Sequence, residues 1–153
     1  MASREMIGLV TSRGSIEVEK GRLIFFAKAI GEADPVYVDT AAARTAGHPA
    51  LPVPPTFLMC LNSEISRPFN VISALNLRLA RVLHAEQRFT YHEMAYAGDT
   101  LSFETKLTDV YDKKDGALHF VVQETRITNQ NGQHIADLRN TLVERRGPEG
   151  SSA

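Results

Sequence analysis

Between Leu101 and Arg145 the hydrophobic pattern has the period of a β-strand, and this constrains the fold more than any other feature. Leu101, Phe103, Thr105 and Leu107 alternate with Ser102, Glu104 and Lys106, as in a strand with one buried and one wet face. Lys113-Lys-Asp-Gly116 interrupts the run, and Asp115-Gly116 is a hairpin signal. A second strand is expected over Leu118–Thr128. Asn129-Gln-Asn-Gly132 is a second turn with an Asn-Gly pair, and Ile135–Arg145 reads as a third strand. Long strands joined by tight turns pair antiparallel, and the apolar face of such a sheet must be covered.

The first half of the chain supplies helices for that purpose. Ser15-Ile-Glu-Val18 alternates and is expected as a short strand; the segment before it, to about Arg13, is weakly patterned. Leu23, Phe26, Ala27 and Ile30 follow the i, i+3, i+4, i+7 spacing of one helix face, with Gly31 at the C-terminal cap. Pro35 turns the chain in Glu32–Asp39, and Asp39 caps a short helix, Thr40–Ala46, closed by Gly47. After a proline-rich bend, Pro49–Pro55, a helix is expected over Thr56–Ile65. It is apolar on nearly every side (Phe57, Leu58, Met59, Leu61, Ile65), which implies burial within the fold or between chains. This is the helix that the sheet is expected to wrap. Pro68 and Asn70 indicate a loop, Leu75–Leu83 fits either helix or strand, and the β signal resumes at Glu86. The expected organisation is one α+β domain over 15–146, an N-terminal segment 1–14, and a disordered tail 147–153.

Composition narrows the class. The 153 residues suit one domain, and a domain of that length buries roughly 70% of its unfolded surface, so it needs no staples. The net charge of −1 gives no reason to expect nucleic acid or an anionic membrane as partner. Cys60 is the lone cysteine. It excludes an intramolecular disulfide, favours a reducing compartment, and reads as a small core residue in Phe57–Leu61. No apolar run reaches the length of a membrane span and the N-terminus lacks an apolar signal region, so the cytoplasm is the expected location.

Several segments together resemble one family. Ala29-Ile-Gly-Glu-Ala-Asp-Pro-Val-Tyr-Val-Asp39, Pro52-Val-Pro-Pro-Thr-Phe57, Arg88-Phe-Thr-Tyr-His92, Ala97-Gly-Asp-Thr-Leu101 and Thr128-Asn-Gln-Asn-Gly132 occur in the order found in the MaoC-like hydratase/dehydratases. The likeness is nearest to their N-terminal, dehydratase-like branch. It implies the hot-dog fold, a curved antiparallel sheet wrapped around a central helix. It also implies addition or removal of water across the double bond of an acyl thioester, usually acyl-CoA, and pairing with a second hot-dog domain.

Hydration of an enoyl thioester needs a base, an acid and donors for the developing enolate oxygen. The resemblance implies that these come from Gly-Asp-x-Asn-Pro-hydrophobic-His and from a glycine N–H at the start of the central helix. Here the frame is kept at Gly31, Pro35 and Asp39, but Glu32 stands in the place of the aspartate and Tyr37 in that of the histidine. A phenol with a pKa near ~10 is a poor base at neutral pH. Pro55, which has no N–H, stands where the oxyanion glycine is expected. Ser63 falls near a position where active members carry a serine. His48, just before the proline bend, is the candidate substitute base beside Glu32 and Tyr37.

Asp34, Pro55, Thr56, Phe57, Leu58, Leu61 and Ser63 are the expected substrate-binding positions, with the apolar helix residues shaping an acyl tunnel. Glu32 and Asp34 also read as turn caps. His84, His92, His119 and His134 fall on or beside strands with no spacing that marks a metal site, so neither a metal nor any other cofactor is expected. Gly-rich phosphate loops and a Gly-x-Ser-x-Gly elbow are missing from the sequence.

The leading expectation is the supporting half of an acyl-thioester hydratase/dehydratase, joined to a catalytic hot-dog chain. The alternatives are a self-sufficient homodimeric hydratase using Glu32, Tyr37 and His48, a non-catalytic acyl-CoA binding module, and a hot-dog thioesterase.

Overall fold

Strand β3 (Thr100–Lys113) shows why the sheet curves. Leu101, Phe103, Thr105 and Leu107 are buried in alternation, but the next buried apolar residue is Val110. A register shift against the neighbouring strand lies between Leu107 and Asp109. One extra residue there exchanges the two faces and bends the strand. The computed structural model describes residues 4–66 and 70–147, without the side chains of Ser66 and Asn70.

In chain order the elements are β1 (Val10–Glu17), α1 (Lys20–Ala29), α2 (Thr40–Thr45), α3 (Phe57–Ser66), α4 (Asn70–Ala74) and β2 (Val82–Tyr91). They are followed by β3, β4 (Leu118–Thr128) and β5 (His134–Arg145). The five strands form one antiparallel sheet in the order β1-β3-β4-β5-β2. Consecutive β3, β4 and β5 are the meander expected from the alternation and its two turns. The sheet edges are β1 and β2.

Local caps fall where the residue types require them. Gly31, at φ +73°, closes α1: its N–H reaches Lys28 O at 3.2 Å and the Glu32 N–H reaches Ala27 O at 2.9 Å. The Asp39 side chain accepts from the Ala41 and Ala42 amides and starts α2.

Helix α3 packs Phe57, Leu58 and Leu61 into a core shared with Val18, Leu23, Leu101, Phe103, Ile127 and Leu138. Gly14 on β1 permits the close approach of its other end: a Cβ at residue 14 would lie 2.8 Å from Ile65 Cγ2. A smaller cluster of Val71, Leu77, Leu107, Val110 and Val121 fills the far end of the sheet.

Four expectations are corrected. β1 starts at Val10, so residues 10–14 belong to the sheet rather than to a preceding segment; β1 pairs with β3 over that stretch. β2 starts at Val82 rather than Glu86, because its pairing with β5 begins at Val82–Glu144. Ile30 is exposed, since α1 ends at Ala29 and the stripe does not reach it. Cys60 is exposed rather than in the core. One side of α3 meets the sheet, and Cys60, Ser63 and Glu64 lie on the open side. Gly147 is exposed, and the rest of the expected tail lies outside the described residues. No helix among the described residues is long and apolar enough to cross a membrane.

Candidate functional site

The turn after α1, the proline bend and the β2–β5 edge converge on one cavity. The bend is held against the segment after β2 by hydrogen bonds from the Val53 N–H to Ala95 O (2.9 Å) and from the Ala97 N–H to Leu51 O (2.8 Å). This brings Val53, Pro55 and Leu58 to face Tyr91, His92, Met94, Ala95 and Ile135, with Tyr37 closing one side. The space is about 260 Å³ and mostly apolar, the character of a small-molecule pocket.

Tyr37, Pro55 and Leu58 are the expected site residues that meet there. The Tyr37 hydroxyl is held above its ordinary pKa by burial, then by the nearby carboxylates of Glu32 and Asp34. It is therefore a weaker acid than a free phenol, and at neutral pH it is a donor rather than a base. Pro55 contributes a wall without an N–H.

The remaining expected residues do not join them. Glu32 Oε1 accepts the Asp34 N–H at 2.9 Å, and Asp34 Oδ1 accepts the Val36 N–H at 3.0 Å. Both carboxylates cap the turn. His48 does not line the cavity; its Nδ1 lies 3.4 Å from Tyr96 Oη. Phe57 turns into the core against Phe26, ring centroids 5.0 Å apart, and Leu61 is wholly buried, so neither shapes the cavity wall. Thr56 is exposed. The Ser63 hydroxyl donates to Met59 O at 2.8 Å and borders a separate, more polar cleft of about 120 Å³ with Thr11, Asn62, Thr105 and Thr125.

His92 is the residue that sequence reasoning missed. Its Nε2 lies 2.8 Å from Asp137 Oδ2, while Asp137 Oδ1 lies 2.9 Å from His134 Nε2. Burial alone would raise the Asp137 pKa, but the hydrogen bonds from the two imidazoles outweigh it and hold the carboxyl below its usual range. His92 ends a quoted motif segment, which was its signal, but nothing local linked it to β5.

The match to the FAS1-like dehydratase domain region extends over residues 5–138, most of the described chain. The chain belongs to that family. Its fold is the MaoC-like hot-dog. Within this family framework, a UPF0336 protein of Parafrankia sp. (strain EAN1pec) is 34% identical over 136 residues, covering 88% of both chains. One chain of a C-terminally truncated HadBC (3R-hydroxyacyl-ACP dehydratase) complex from Mycobacterium tuberculosis superposes with a TM-score of 0.75. It is 24% identical and covers 90% of this chain and 96% of that one. A chain of the ChsH1–ChsH2 complex from the same organism gives a TM-score of 0.70 at 24% identity, covering 89% and 86%. These two likenesses establish shared architecture.

Proposed function

We propose that this dehydratase-family chain is the supporting half of an acyl-thioester hydratase/dehydratase, completed by a second hot-dog subunit with an intact Asp/His pair. One observation carries the reading. Where the family's water-activating pair and oxyanion amide are expected, the cavity wall carries Tyr37 and Pro55, and Glu32 is engaged in capping Asp34. The removal of one oxyanion donor costs roughly 3 kcal/mol of transition-state stabilisation, and the missing imidazole adds to that.

The open edge of β2 supplies a joint for the partner. β2 pairs on one side with β5, and Leu83 and Tyr91 on it are about half exposed. Unpaired edge amides favour another strand. The names of the two superposed complexes, each a pairing of two components, agree with this. The substrate is an acyl thioester on CoA or a carrier protein. Its acyl chain lies against Leu58 and Val53, the reaction needs no cofactor, and the setting is the cytoplasm.

The second reading, a self-sufficient homodimer, is favoured by His92: an imidazole oriented by Asp137 on the cavity rim is an arrangement suited to a general base. Hydration of a short enoyl-CoA distinguishes the two. The purified, folded chain should be inactive alone and active when mixed with a hot-dog chain carrying the intact Asp-x-Asn-Pro-x-His pattern. Turnover by the chain alone overturns the proposal.

A further inference from the structure

Two imidazoles and a carboxylate converge at the N-terminal end of β5. His134 and Asp137 are three positions apart on that strand, and His92 follows the end of β2, where the His92 and Glu93 amides both donate to Ile135 O at 2.9 and 3.1 Å. Those backbone bonds fix His92 beside β5, so the ring does not depend on a mobile loop for its position. The ligand-type atoms of the three side chains all lie within 4.8 Å of one another. The two rings are 4.1 Å apart between centroids, tilted by 32°. Among the described residues, the ion pairs of Asp137 are those with His92 and His134.

We propose that His92, His134 and Asp137 bind one divalent late-transition-metal ion of the zinc class. Three features of the chemistry select that class. Neutral imidazole nitrogen is a ligand for zinc, nickel, copper and iron, whereas magnesium and calcium require a set of oxygens. A tetrahedral ion with bonds of about 2.0–2.1 Å separates its ligand atoms by roughly 3.3 Å. The present N···O spacings of 2.8 and 2.9 Å are those of hydrogen bonds, so an outward shift of the side chains, with each neutral ring carrying its proton on Nδ1, turns both Nε2 lone pairs to the ion. The three side chains are only partly covered, with relative exposures of 38% (His92), 28% (His134) and 41% (Asp137), so an ion can enter from solvent.

Three protein ligands leave at least one coordination position for water. Because His92 also lines the apolar cavity, the ion sits on its rim. Nothing in this inference depends on the proposed hydratase role: the site stands on its own three residues whatever the cavity binds.

The test uses the full chain, produced without a polyhistidine tag, stripped with chelator and dialysed. Zinc chloride is titrated by calorimetry and cobalt chloride by visible absorption. The expected result is saturation at one ion per chain, with a rise in Tm on zinc addition by mass action. Loss even of a group that merely orients a ligand costs about 10–100-fold in metal affinity, so Asp137→Asn and His134→Ala should each weaken binding by at least that factor. His84→Ala, at an exposed position on β2, should leave it unchanged.

Far-UV circular dichroism verifies that each variant is folded. On the wild-type chain, nuclear magnetic resonance should show the His92 and His134 imidazole signals perturbed first as zinc is added. Absence of saturable binding at millimolar metal overturns the proposal. So does binding that survives both ligand substitutions, or first perturbation of other histidines.

Discussion

The Nε2 of His92 lies 2.8 Å from Asp137 Oδ2, although 45 positions separate the two residues. The link ties the segment after β2 to β5 on the cavity rim. Both side chains are more than a third exposed, so solvent screens the pair. A double-mutant cycle of His92→Ala and Asp137→Asn, read from urea denaturation at neutral pH, should give a coupling of only about 0.2–1 kcal/mol. A coupling of several kcal/mol would mean that the rim is a structural keystone instead.

Glu144 is a buried carboxylate that accepts the Arg78 N–H and Arg146 Nε, both at 2.7 Å. Burial raises its pKa, but the Arg78 amide and the Arg146 guanidinium outweigh this and the net shift is downward. A depressed folded-state pKa contributes stability above the ordinary carboxyl value of ~4.3, and that contribution is lost as pH falls through the folded value. Glu144→Ala should cost about 1–3 kcal/mol at pH 7, because the Arg78 N–H loses its acceptor. The denaturation midpoints of wild type and Glu144→Gln should converge on acidification.

Gly14 meets Ile65 with no room for a side chain: the 2.8 Å approach to Cγ2 is too short for a Cβ contact. Ile65 is β-branched and stiff at χ1, so the clash is not relieved by rotation. Gly14→Ala should destabilise by about 1–3 kcal/mol, as overpacking does. Ile65→Ala removes Cγ2, so Gly14→Ala should cost less in an Ile65→Ala background than in the wild-type chain; an equal cost would place the strain elsewhere.

Glu32 Oε1 accepts the Asp34 N–H and caps the turn after α1. In the complex with a catalytic partner, Glu32→Gln should keep kcat within roughly twofold, because an amide oxygen still accepts that bond. A loss of ~100-fold, the scale of a misplaced catalytic group, would restore Glu32 to the chemistry and favour the self-sufficient enzyme.

Cys60 is accessible in the isolated chain. It should react stoichiometrically with an aromatic disulfide under native conditions, without prior unfolding. If the partner subunit covers the open side of α3, mixing with it should slow the reaction; an unchanged rate would direct the search for the interface to the β2 edge alone.

The sequence by itself determined the elements whose causes are local. The alternation from Leu101 onward, the Asp115-Gly116 turn and the Asn-Gly pair at 131–132 produced β3, β4 and β5 because side-chain period and turn chemistry act between near neighbours. Gly31 and Asp39 capped their helices for the same reason. Tyr37, Pro55 and Leu58 could be named from the sequence, but the packing of the proline bend against the segment after β2 is what brings them to one cavity.

What only the tertiary structure decided depends on register and on which helix side meets the sheet. The β2–β5 pairing sets His92 beside Asp137 and His134, a juxtaposition with no trace in sequence spacing. The packing of α3 buries Phe57 and Leu61 away from the cavity and leaves Cys60 in solvent, though all three belong to one apolar run. Apolarity states that a helix will be covered; the partner surface alone determines which of its sides is covered.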